Sequence, residues 1–137
     1  MNEGTFTPDS LIVSPDSPVL KEGIGLKPGQ GTLKRGTIIC KGTDGSGYIA
    51  GKTVTVSSGD GETGSGSTTN MTMKVFGILT DDTETGDKAE GDDIPAVVYT
   101  TGIFNRAALS VYTEAAVATF EDELKGIGIH LRNVQTI

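Results

Sequence analysis

Two stretches decide the reading of this chain: Met73–Leu79, MKVFGIL, and Pro95–Ile103, PAVVYTTGI. Both are rich in β-branched and large apolar residues and are short for a helix, so both predict strands. Gly77 interrupts the first and predicts a bulge or a close approach of backbones. Working outward, Thr37–Lys41 (TIICK) predicts a strand with an apolar centre. Tyr48–Ala50 and Lys52–Val56 predict short strands on either side of Gly51, after a turn at Asp44–Gly47 (DGSG). Residues 57–70 (SSGDGETGSGSTTN) and 80–93 (TDDTETGDKAEGDD) offer nothing to a core and predict flexible polar loops.

The C-terminal part changes character. Thr119 is a good N-cap residue, and Glu121, Asp122 and Glu123 put negative charge where a helix dipole favours it. Leu124 follows Phe120 by four residues, so the two share a helix face. Gly126 is the expected left-handed C-cap, and Tyr112–Ala118 could extend the helix upstream. Ile127–Leu131 (IGIHL) alternates and predicts a last strand with His130 turned away from Ile129 and Leu131. The fold class expected is α+β and mostly β: a small β-rich body with one or two short helices.

Residues 1–30 carry Pro8, Pro15, Pro18 and Pro28 out of five prolines in all. Proline fixes φ and holds the preceding residue extended, so this leader predicts an extended arm and not a helix. Pro8 and Pro15 bracket Leu11, Ile12 and Val13, a β-prone patch that suits an edge or added strand. An unpaired strand must satisfy its N–H and C=O groups somewhere, either in its own body or on another chain's sheet. The domain expectation is an arm over 1–30 and a single domain over 31–137.

The chain has 137 residues, enough for one core without covalent staples. Its single cysteine, Cys40, excludes an internal disulfide and a multi-thiolate metal site, and its apolar neighbours predict a buried structural thiol. A formal net charge of −7 argues against nucleic-acid binding, which relies on Lys and Arg at phosphates. No apolar run is long enough to cross a membrane. The N-terminus MNEGTFTPDS lacks the basic and apolar regions of a signal peptide, so synthesis and residence in a cytoplasm are expected for the single chain.

The glycines of Gly23–Gly29 (GIGLKPG) fail dinucleotide-loop spacing, and Pro28 sits where the helix would begin. Asp44, Asp60, Glu62, Asp81, Asp82, Asp92 and Asp93 are oxygen donors without calcium-loop spacing, and predict solvated acidic loops. A triad would need His130, the one histidine, yet the Gly-Ser-Gly runs at 45–47 and 64–66 lack a nucleophile elbow's strand and helix. A Cys40–His130 pair is the remaining catalytic possibility. The expectation is no enzyme, no cofactor and no metal.

Val75–Leu79 (VFGIL), then a polar loop, then Ala96–Phe104 (AVVYTTGIF), resembles the phage lambda head decoration protein family. The resemblance rests on Gly77, Ile78 and Leu79, on Gly102 and Phe104 of the Gly-x-Phe step, and on Asn105–Leu109 and Glu121–Ile129. Thr5, Phe6 and Thr7 resemble the family's start. The likeness covers most of the chain and is best over 75–132, while the 57–70 loop looks longer than the family's. It implies a small mixed α/β body with a β-rich part. It implies a homotrimer at local three-fold positions on the outer surface of the expanded phage head, which stabilises the shell against DNA pressure. It also implies an N-terminal arm that adds a strand to the major capsid protein, with Thr5, Phe6, Thr7, Leu11, Ile12 and Val13 as capsid-binding positions. A virion structural protein made in a bacterial cytoplasm follows, without nucleic-acid or membrane partners. The competing readings are a β-rich oligomeric phage tail or surface adhesion module, and a small hydrolase using Cys40 and His130.

Overall fold

The computed structural model describes residues 11–12, 19–58, 67–88, 90–112 and 116–132, and for 55–58 and 67–70 the backbone alone. The strands are β1 (Lys21–Leu26), β2 (Thr32–Leu33), β3 (Ile38–Gly42), β4 (Gly47–Ile49), β5 (Thr55–Ser58) and β6 (Ser67–Asn70). They continue as β7 (Met73–Leu79), β8 (Thr83–Glu84), β9 (Ile94–Tyr99), β10 (Gly102–Asn105) and β11 (Ile129–Arg132). One α-helix, α1 (Glu121–Ile127), follows a 3-10 turn at Val117–Phe120. The fold is α+β and mostly β.

Five strands close a barrel in the order β1-β4-β3-β7-β9, with β9 pairing back onto β1. All contacts in it are antiparallel except β1–β4, which is parallel and reduced to Leu26 opposite Gly47. The Gln30 side chain reinforces that thin junction. Its amide nitrogen donates to the carbonyls of Lys27 at 2.8 Å and Gly47 at 3.0 Å, and its oxygen accepts from the Ile49 N–H at 2.8 Å. One side chain thereby supplies the hydrogen bonds that a short ladder leaves unmade.

Strand alternation sorts the apolar residues into two cores. Ile39, Leu79, Val98, Ile24, Leu26 and Leu33 fill the barrel. Ile38 and Cys40, their neighbours on β3, face outward with Val75 and Ile78 of β7. There they meet Phe104, Leu124, Ile129 and Leu131, carried by β10, α1 and β11, which cover this side of the barrel. Burying each such side chain is worth roughly 1.5–3 kcal/mol. β10 and β11 pair in parallel, Gly102 opposite Ile129 through Asn105 opposite Arg132.

Several sequence expectations coincide with these elements: the strand at Met73–Leu79, those around 38–42 and 47–49, and the Phe120–Leu124 face, which joins the outer core. The irregularity expected at Gly77 is a bulge. Ile39 pairs with Gly77 and Cys40 with Val75, which leaves Phe76 as the extra residue. β11 alternates as expected, with Ile129 and Leu131 buried and His130 exposed.

Other elements differ. The expected strand over 95–103 is two strands, because Thr100 and Thr101 turn the chain out of the barrel and into β10. Thr119 is not the N-cap: it lies in the 3-10 turn, and Phe120 precedes α1 without a capping side chain. The left-handed C-cap is Gly128, at φ 101°, and Gly126 is helical. The helix runs two residues further than expected because the Gly128 N–H caps the carbonyls of Leu124 and Lys125. The span 57–70 is not all loop, since β5 and β6 pair from Thr55 opposite Asn70 to Ser58 opposite Ser67. The acidic span 80–93 contains β8, which pairs with β2.

The boundary expected at residue 30 does not coincide with the fold either. β1 pairs with β9 over its full length, from Lys21 opposite Tyr99 to Leu26 opposite Ile94. The body therefore takes in the leader's last third, and Leu11, Ile12, Val19 and Leu20 before it.

Candidate functional site

Gly77 and Phe104, both singled out by the resemblance, adjoin Tyr99 at the end of β9, where the barrel meets β10. Gly77 lies where β7 crosses β9. A Cβ there would fall 2.8 Å from Val98 Cγ2, so only glycine permits the approach. Ile78 and Leu79 are fully buried on opposite sides of the sheet, one in each core. Gly102 takes φ +139°, and a Cβ on it would sit 2.8 Å from Phe104 Cε1. Phe104 is fully buried, and its ring packs at 5.4 Å and 45° against Tyr99. The glycines thus make room for the apolar residues beside them.

Two leader residues enter the same place. Leu11 is 1 % exposed and belongs to the outer core. The Asn105 N–H donates to its carbonyl at 2.8 Å, and Ile12 forms an antiparallel bridge with Phe104. β10 therefore has β11 on one side and the leader on the other. Further on, Leu20 accepts from the Thr100 N–H at 2.8 Å and donates to Thr101 Oγ1 at 3.1 Å, which leads into β1. Of the six expected capsid-binding positions, Leu11 and Ile12 are engaged within their own body. Leu11 in particular has no side-chain surface left to offer a partner. Thr5, Phe6, Thr7 and Val13 lie outside the described residues.

The segment after β10 is fastened too. Asn105 Oδ1 accepts from the Ala107 N–H at 3.1 Å and caps a 3-10 turn at Arg106–Ala108. The Arg106 guanidinium grips Glu121 with two bonds, Nε to Oε1 at 3.2 Å and Nη2 to Oε2 at 2.6 Å. That hydrogen-bonded cation holds the Glu121 carboxyl below its usual range.

Cys40 and His130 are placed on different sheets, Cys40 in the barrel on β3 and His130 on β11 opposite Ile103. Burial, with a smaller contribution from the Glu123 carboxylate, pushes the Cys40 thiol up to about 12. The thiol stays protonated at neutral pH, the reverse of an activated nucleophile.

Several acidic side chains are used locally. Asp44 accepts from the Tyr48 hydroxyl at 2.6 Å and the Ser46 N–H at 3.0 Å. Asp93 accepts from Ser46 Oγ at 2.6 Å, and Asp82 from the Arg35 N–H at 2.8 Å. Among the described residues, no three His, Cys, Asp or Glu side chains converge as metal ligands do. Among the described residues, no helix is long and apolar enough to cross a membrane.

No protein-family model matches this chain, and no curated protein matches it.

Proposed function

We propose that this chain is a phage head decoration protein, which sits as a homotrimer over local three-fold positions of the expanded head and stabilises the shell. The observation that carries the reading is the junction at β10. Phe104, one of the family-like residues, bridges the leader's Ile12 and shares a core with Leu11, and Gly102 makes room for its ring. The clamp in this reading is shorter than the whole leader. Leu11 and Ile12 serve as its root, and Thr5, Phe6 and Thr7, four to six residues upstream, supply the strand that adds to the major capsid protein. Six extended residues reach at most about 20 Å. A root in the core limits the freedom of the arm and raises its effective concentration at a neighbouring subunit. Each main-chain hydrogen bond contributes about 1 kcal/mol, so three arms acting together are needed for firm attachment.

The test compares two truncations on expanded capsids of the phage that encodes the chain. Removing residues 2–10 is expected to leave a folded trimer by sedimentation that no longer co-sediments with capsids. Removing 2–14 also removes Leu11 and is expected to lower stability besides. A 2–10 truncation that decorates capsids at full occupancy would overturn the arm mechanism. An intact chain that leaves such capsids bare would overturn the function.

A further inference from the structure

Lys41 on β3 and Lys74 on β7 stand directly opposite each other in the barrel ladder. The adjacent pair, Cys40 and Val75, faces the outer core and α1. Alternation therefore turns the two lysines to the other side of the sheet. Both carbons-to-ammonium stems are exposed, and neither lysine forms an ion pair among the described residues. Like charges directly opposite on a ladder destabilise it. This pair persists on a chain whose net charge is −7, where carboxylates are plentiful.

The pair borders a groove of about 410 Å³ that also includes Gly42, Val75 and Phe76. Phe76 is the bulged residue of β7, and its ring lies 5.2 Å beneath the Lys41 ammonium. An aromatic ring under the Lys41 ammonium, with the Lys74 ammonium beside it, fits a ligand that carries both a carboxylate and an apolar side chain.

We propose that this groove docks an acidic, apolar-bearing extended segment of a partner protein, its carboxylate bridging Lys41 and Lys74 and its apolar side chain resting on Phe76. Charge complementarity selects the acidic partner. Two of the chain's own acidic stretches, 81–93 and Glu121–Glu123, do not supply the apolar part. Residues 81–93 contain no apolar side chain larger than alanine, and the flanks of Glu121–Glu123, namely Phe120 and Leu124, belong to its own core. In these two stretches a second copy offers charge without the anchor, and the occupant proposed is a different protein. This inference stands apart from the capsid reading and survives its failure.

The test titrates the 15N-labelled full chain with a capped pentapeptide of alternating glutamate and leucine, and with its glutamine counterpart. Saturable shifts of the Lys41, Lys74 and Phe76 amides are expected with the glutamate peptide alone. Lys74→Gln is expected to weaken binding about 5–10-fold, Lys74→Arg to restore it, and 0.5 M salt to weaken it, roughly as a close charge pair behaves. Relief of the repulsion is expected to raise the free chain's thermal midpoint in Lys74→Glu by about 1–4 °C. Equal binding of the glutamine peptide, or shifts that bypass the groove, would overturn the proposal. So would self-association that Lys74→Glu abolishes, which would assign the groove to a second copy.

Discussion

The N–H of Asn105 donates to the carbonyl of Leu11 across 2.8 Å and ties the leader to the strand after the barrel. This bond, with the Ile12–Phe104 bridge, makes part of the apparent arm a piece of the body. It follows that truncation at residue 10 and truncation at residue 14 are different experiments, the first touching the clamp and the second the core.

Leu11→Ala is expected to destabilise the chain by about 2–5 kcal/mol, because its side chain is 1 % exposed and leaves a cavity among packed neighbours. Leu20→Ala, at a residue 58 % exposed in the same leader, is expected to change stability by no more than about 0.5 kcal/mol. Urea denaturation of the two variants measures the contrast. Equal effects would show that Leu11 is not a core residue.

The Arg106–Glu121 pair gives stability an acid-side dependence. Glu121 has its folded pKa lowered from 4.5, chiefly by the hydrogen bond from Arg106. The unfolded chain therefore binds the proton first as pH falls. The stabilisation is complete above that range and is lost as pH drops through the folded value. Thermal midpoints of wild type and Glu121→Gln are expected to differ at pH 7 and to converge as pH falls from the ordinary 4.5 through the lowered folded value. A constant gap across that range would remove the pair as its cause.

Cys40 is expected to resist iodoacetamide at pH 7.5 in the folded chain and to react at once in denaturant. Burial holds its thiol near 12 against an ordinary 9.0, so almost no thiolate forms. The sign for stability is the opposite of Glu121's. The raised pKa favours the folded state below pH 9, and that contribution is lost as pH climbs from 9 towards 12. Fast modification at neutral pH would revive Cys40 as a nucleophile.

What was legible in the sequence was local. Met73–Leu79 announced itself as a strand, and the expected defect at Gly77 is the bulge that frees Phe76. The spacing of Phe120 and Leu124, and the alternation that turns His130 outward, were equally readable. Gly128 displaced Gly126 as the helix cap because Leu124 and Lys125, and not their predecessors, had carbonyls to satisfy. The hairpin of β5 and β6 was hidden, since Ser and Thr signal loops as readily as they pair across strands. The close approach at Gly77 was legible by residue type, whereas Gly102 and Phe104 were singled out only through the resemblance. The Lys41–Lys74 pair was not, because opposition across a ladder depends on a register that a bulge shifts.

By itself, the sequence determined which segments favour strands, where the helix's apolar face lies, and that one acidic, single-cysteine chain must rely on packing. Only the tertiary structure decided that Leu11 belongs to the core, that β1 closes the barrel, and that two lysines confront each other. Each of these depends on partners far apart along the chain, and no local preference carries information about which distant group will meet it.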